Sequence, residues 1–117
     1  MDDQFLRTQM LLGDEGMARL ARSHVAVFGL GGVGSYAVEA LVRSGVGELT
    51  LIDDDSVSRT NLNRQIEALH STVGQNKTDA LAARCRDINP AVHLHLICAR
   101  YDAAHREDFF TARYDYI

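Results

Sequence analysis

Short apolar runs recur along this chain, separated by longer stretches whose apolar positions fall at helical spacing. His24-Val25-Ala26-Val27-Phe28, Glu48-Leu49-Thr50-Leu51-Ile52 and Val92 to Cys98 read as strands. The first is nearly all apolar, as a parallel strand covered on both faces should be. Val33 to Ser44 reads as a helix whose inner face is Val33, Ala37, Ala40, Leu41 and Ser44, stopped by Gly45 and Gly47. Gln75 to Ile88 reads as a second, patterned on Ala80, Leu81, Arg84, Cys85 and Ile88 and ended by Asn89-Pro90. Asp14 to Arg22, with acidic residues in its first turn, predicts a short helix inside an N-terminal helical arm covering 1–22. Ala103 to Ala112 predicts another, leading to a fourth strand at Tyr116. The order βαβαβαβ predicts an α/β fold: a right-handed parallel sheet with helices on both faces. One domain spans 1–117, and the strand-like end Tyr114 to Ile117 suggests the N-terminal part of a longer domain.

Composition adds bounds. The 117 residues are 46% hydrophobic and 24% charged, enough for one modest core. The net charge of −4 and the lack of a basic block give no electrostatic sign of nucleic-acid binding. Cys85 and Cys98 form no CxxC pair; both are expected in core positions of a protein kept in a reducing compartment. The start Met1-Asp2-Asp3 is acidic, with no apolar leader behind it, and no run approaches membrane-spanning length. The cytoplasm is the expected location, with no membrane partner.

Chemistry enters after the first strand. Gly29-Leu30-Gly31-Gly32-Val33-Gly34 links that strand to a helix, and Asp53 closes the second strand 19 residues past Gly34. Gly29 permits a tight turn, Gly31 removes a Cβ where backbone must approach a phosphate, and Gly34 lets the helix lie close. Gly32 completes the loop. The helix start offers free N–H groups and the positive end of its dipole to an anion. Asp53 is placed to accept hydrogen bonds from ribose hydroxyls. This is a Rossmann-like nucleotide site.

The loop after Asp53 is dense in charge and amide: Asp53-Asp54-Asp55-Ser56-Val57-Ser58-Arg59-Thr60-Asn61-Leu62-Asn63-Arg64-Gln65, then Val73-Gly74-Gln75-Asn76-Lys77. Arg64 can fork two hydrogen bonds onto phosphate oxygens, and Lys77 can act as a point charge at a helix start. Asn61 can either fix a ribose or phosphate or cap a turn. Asp55 can cap the Ser56-Val57-Ser58 segment or touch Mg²⁺ through water. Asp54 and Arg59 read as solvated charges. His24 reads as strand-edge structure, and His70 and His105 as surface residues. His93 and His95 share one strand face, with no third metal ligand apparent in the sequence.

These ordered motifs, GxGGxG, LIDDD, SRTNLNRQ and VGQNK, resemble those of the ThiF-type adenylating superfamily, which includes molybdopterin-synthase adenylyltransferase and the ubiquitin-activating enzymes. The resemblance covers almost the whole chain. It implies attack of a carboxylate on the α-phosphate of ATP, giving an acyl-adenylate and pyrophosphate, with Mg²⁺ as cofactor. It implies catalytic roles for Arg64, Lys77 and Arg7, the last in the segment Arg7-Thr8-Gln9-Met10-Leu11-Leu12-Gly13, which in relatives reaches the active site of a partner subunit. A homodimer follows. The Gly-Gly-Val-Gly-Ser core, the LIDDD triplet and the NRQI-x-ALH stretch resemble the branch that dehydrates threonylcarbamoyladenosine at position 37 of tRNA. Close cousins instead adenylate the C-terminal glycine of a ubiquitin-like sulfur carrier. An NAD-dependent oxidoreductase and a non-catalytic adaptor are the other readings. The family's Mg²⁺-binding aspartate is expected just beyond Ile117, so the 117 residues alone are expected not to adenylate.

Overall fold

The structure, a computed structural model, describes residues 3–117. Met1 and Asp2, the start of the expected arm, lie outside the described residues. Three parallel strands, β1 (His24–Phe28), β2 (Glu48–Ile52) and β3 (His93–Ile97), form one sheet in the order β1-β2-β3. They alternate with three helices, α1 (Leu6–Ala21), α2 (Gly34–Ser44) and α3 (Lys77–Ile88). The expected fourth strand is present as one parallel bridge, Val25 to Tyr116, on the other edge of β1. There the Ala26 amide donates to Tyr116 O at 3.0 Å and the Asp115 amide to His24 O at 2.7 Å. The chain therefore reverses its direction of travel across the sheet after β3. That makes the carboxyl end of β1 the switch point where open α/β sheets bind ligands.

Side chains alternate between the two faces of the sheet. Val25, Leu49 and Leu51 pack with Val38, Val42, Leu81 and Cys85 of α2 and α3 into the main core. On the other face Ala26 and Ile52 meet Phe109, with Phe28, Ile97 and Tyr114 beside them.

Helix α2 corrects the expected inner face. Its buried residues are Ser35, Val38, Glu39 and Val42. Val33, Ala37 and Ala40 are exposed, and with Leu41 they line an open apolar cleft of about 650 Å³ along β1, Tyr116 and Ile117. The polar members of the buried stripe are tolerated because each is bonded. Ser35 Oγ donates to Gly31 O at 2.6 Å. Glu39 accepts Arg43 Nε at 2.7 Å and a forked pair from Arg84, Nε at 2.7 Å and Nη2 at 3.2 Å. Burial pushes the Glu39 carboxyl up, but the hydrogen bonds from Arg84 and Arg43 outweigh it and hold the group below the usual carboxylate range. The stability this gives to the α2–α3 contact is present at neutral pH and is lost as pH falls through that lowered value.

Other boundaries shift for local reasons. Helix α1 is broken at Gly13 (φ 76°, ψ 172°), so the expected helix from Asp14 is its second half. Its first half leaves Leu6, Met10 and Leu11 exposed. Gly45 ends α2 in the left-handed conformation, as expected. Gly47 has a different job, because a Cβ there would sit 1.8 Å from Ala21 O. Helix α3 starts at Lys77 rather than Gln75, since an antiparallel Ser56–Asn76 bridge and the Val57 amide bonded to Gln75 O keep that stretch extended. The expected helix from Ala103 to Ala112 is only a 3₁₀ segment, Ala103–Asp108, irregular at His105. Phe109 turns inward against the sheet and ends it.

The two cysteines part company. Cys85 is buried in the core, which pushes its thiol up to about 11. Cys98, contrary to expectation, is exposed, because it lies one residue past the end of β3. One thiol should therefore react with an alkylating reagent in the native protein and a second only on unfolding. Mass spectrometry of the modified peptides checks this, and fast labelling of Cys85 would contradict the packing.

Candidate functional site

The site is built at the carboxyl ends of β1 and β2. After Phe28 the chain turns at Gly29, whose φ of 90° lies in the left-handed region that side chains disfavour. Gly34 opens α2 against that turn, where a Cβ would lie 1.8 Å from Gly29 O. The close approach is to the loop's own carbonyl rather than to the strand. Gly31 is different: the nearest atom to a Cβ there is Gln65 Nε2 at 3.8 Å, so the space above it is open. No side chain caps the start of α2, which leaves its dipole facing the loop.

Asp53 locks the two strand ends together. Its Oδ2 accepts the Leu30 amide at 2.7 Å and its Oδ1 accepts the Asp55 amide at 2.8 Å. Each oxygen keeps a further lone pair for a ligand hydroxyl. Beside it lies a small cavity of about 130 Å³ lined by Phe28, Gly29, Ile52, Asp54 and Tyr101.

The two expected cations approach this loop by different routes. The Arg64 stem lies by Gly32, with Cγ 3.6 Å from where a Cβ would be. Its exposed guanidinium donates from Nη1 to Thr60 O at 3.1 Å and to Asn63 Oδ1 at 2.9 Å. Lys77 is buried, only 6% exposed. Its amide donates to Asp55 O at 3.0 Å and its Nζ lies 3.8 Å from Asp55 Oδ2. The Asp55 carboxylate thus faces an ammonium and accepts no hydrogen bond from the 56–58 segment. Asn61 is buried, and its Oδ1 accepts the Ser58 amide at 2.9 Å, so the turn-capping role is present. Its carbonyl accepts the Arg64 and Gln65 amides, which sets where Arg64 leaves the loop. Asp54 and Arg59 are exposed, as expected.

Arg7 does not join this group within the chain. It is exposed on α1, whose start is held at the far end of the molecule by Gln4 Nε2 donating to Ile88 O and by Phe5 beside Gly45. The 11 residues of α2 put that end about 16 Å from the glycine loop.

Two buried groups next to the motif residues were not singled out from sequence. Gln65 is 6% and Glu67 2% exposed. Neither Glu67 oxygen accepts a hydrogen bond from another residue. Burial pushes this carboxyl up to about 7, against the pull of the Lys77 charge. No local pattern marks them in the sequence: both lie in a stretch that composition reads as loop, and an alternation of polar and apolar residues would turn Gln65 and Glu67 outward. Glu67 is protonated in the fold and ionised in the unfolded chain between about 4.5 and 7. Stability therefore falls as pH rises through that window, by up to about 3 kcal/mol. Glu67→Gln should remove this slope, and denaturant titrations at pH 5 and pH 8 measure it.

The ThiF family model matches residues 5–117. The chain belongs to the ThiF family. Among curated ThiF-family relatives, the tRNA threonylcarbamoyladenosine dehydratase of Bacillus subtilis is 49% identical over 114 residues, covering 97% of this chain and 45% of the relative. The molybdopterin-synthase adenylyltransferase of Salmonella typhimurium is 42% identical over 88 residues, 75% of this chain and 35% of that protein. Among solved structures, the ATP complex of the E. coli tRNA N6-threonylcarbamoyladenosine dehydratase TcdA superposes with a TM-score of 0.93 at 39% identity, over 96% of this chain and 46% of that one. This ThiF-family chain thus spans less than half the length of these relatives. The Rossmann-like α/β fold expected from sequence is the fold observed.

Proposed function

We propose that this chain carries the ATP site of an enzyme that activates a carboxylate as its adenylate, and that the carboxylate is the threonylcarbamoyl group on adenosine 37 of tRNA. The observation that carries the reading is the joining of four elements in one place. Asp53 ties the glycine loop to the β2 loop, Asp55 continues to Lys77, and Arg64 lies along Gly32. The α2 start, Arg64 and Lys77 supply positive charge for a polyphosphate, which a dinucleotide does not need at this loop. Asp53 takes the ribose, and Gly31 and Gly32 let backbone approach phosphate. In-line attack on the α-phosphate then depends on positioning and charge stabilisation.

Mg²⁺ fits the donor set. Asp53, Asp54 and Asp55 place carboxylate oxygens within 4.8 Å of one another, and hard oxygen ligands suit that ion. Asp55 would touch it through water, and it would neutralise outer-phosphate charge.

A homodimer belongs to the proposal. The exposed Leu6, Met10 and Leu11 of α1 have no cover among the described residues, and Arg7, exposed on the same segment, would be the residue that reaches a partner's phosphates. The cytoplasm is the proposed location; among the described residues no helix is long and apolar enough to cross a membrane. The test is ATP–pyrophosphate exchange by the full-length protein. Exchange that requires intact tRNA bearing threonylcarbamoyladenosine supports the reading. Exchange with a ubiquitin-like carrier ending in Gly-Gly instead moves the protein to sulfur-carrier activation, a reading favoured by the likeness to the Salmonella adenylyltransferase. Silence with both overturns adenylation.

A further inference from the structure

At the amino end of the sheet, away from the glycine loop, the parallel register gathers three side chains that are far apart in sequence. His24 opens β1, Glu48 opens β2 and His95 lies in β3. All three project from the face that carries Ala26 and Ile52. One oxygen, Glu48 Oε2, lies 2.6 Å from His95 Nε2 and 3.7 Å from His24 Nδ1. The three candidate donor atoms fall within 4.8 Å of one another.

We propose that His24, Glu48 and His95 form a binding site for a zinc-like divalent transition metal. Two imidazoles and one carboxylate are the donor set such an ion takes, with a fourth position left to water. Tetrahedral ligation at metal–ligand distances near 2.0–2.2 Å separates neighbouring donor atoms by about 3.4 Å. The present 2.6 and 3.7 Å separations bracket that value, so small side-chain adjustments reach it. The surroundings carry a second, independent observation. His24 Nε2 lies 2.6 Å from Thr50 Oγ1, and Thr50 is buried. With Nδ1 on the metal, Nε2 carries the proton and Thr50 accepts it, which is how proteins orient a metal-bound imidazole. The His24 side chain is 7% exposed and that of His95 51%, so the site is anchored within the fold and open on one side for the ion and its water. An ion here would link all three strands at the end opposite the nucleotide.

The experiment uses chelator-stripped full-length protein titrated with Zn²⁺ and, separately, Co²⁺, with thermal unfolding and the visible Co²⁺ spectrum as readouts. One equivalent should bind and raise Tm. The Co²⁺ spectrum of this site should lack a thiolate charge-transfer band, because neither cysteine takes part. His95→Ala, at an exposed position, should remove the Tm rise. Thr50→Val should weaken binding about ten- to a hundredfold. Binding should weaken on acidification, as protons compete for the imidazole nitrogens. His70→Ala, at an exposed histidine outside the cluster, should change nothing. Failure of the unmodified protein to bind Zn²⁺ at tens of micromolar overturns the proposal, and so does binding that survives both His95→Ala and Glu48→Gln.

Discussion

Lys77→Met is expected to lower ATP–pyrophosphate exchange by about a hundred- to a thousandfold with little loss of fold. Removing one fixed electrostatic contact to developing charge in a water-poor site typically has an effect of that size. In the adenylation proposed above Lys77 would be that contact, since it is buried at the start of α3 beside the Asp55 loop, its Nζ 3.8 Å from Asp55 Oδ2. Methionine keeps most of the packing volume while removing the charge. The backbone bond from residue 77 to Asp55 O is unaffected, so the loop stays in place. The loss should therefore appear mainly in kcat, with circular dichroism unchanged. Arg64→Ala is the companion: it removes an exposed side chain from beside Gly32, and its effect should appear more in the KM for ATP. Exchange within threefold of the parent in Lys77→Met would remove that residue from the catalytic group.

The second large effect is on folding. Gly34→Ala would place a methyl carbon 1.8 Å from Gly29 O, so backbone must move by more than 1 Å. Overpacking of that kind costs about 3 kcal/mol or more, because the obstacle is a carbonyl in a turn already held by Asp53. A fall in Tm of roughly 10 °C follows for a unit of this size. Gly31→Ala is the contrast. Its Cβ would meet nothing nearer than 3.8 Å, so it should fold like the parent and lose only nucleotide affinity. Thermal melts and nucleotide titrations on the two variants separate the glycine that builds the loop from the one that admits a ligand. Equal Tm values would refute the close approach at Gly34.

The strands, the glycine loop and Asp53 were legible from sequence because each rests on one local rule. Near-continuous apolar runs mark buried strands, and a glycine pattern between strand and helix admits one main geometry. The inner face of α2 was not legible. The helix carries two usable stripes, and the choice between them depends on Arg84, which reaches Glu39 across 45 residues. Without that partner Glu39 reads as solvated, so the apolar stripe through Ala37 and Leu41 looks like the core. His24 shows the same limit. Read alone it is the edge of a strand, and His95 has no neighbouring donors until strand register brings His24 and Glu48 beside it. Arg64 and Lys77 could be picked out by motif, but the sequence did not reveal that one is exposed and the other buried. Glu67 was hidden because burial of a carboxyl without a partner is a tertiary accident that no local pattern encodes.

The single bridge between Val25 and Tyr116 has a consequence for synthesis on the ribosome. One edge of β1 waits for a partner that is 91 residues further along the chain. At ordinary translation speeds that is a delay of roughly 5–20 s. Throughout it the nascent chain presents an apolar strand with unpaired backbone groups, a template for the wrong neighbour. The strand that ends inside the sheet is thus the one most exposed while the protein is being made, and the demand for chaperone cover should peak before residue 116 emerges.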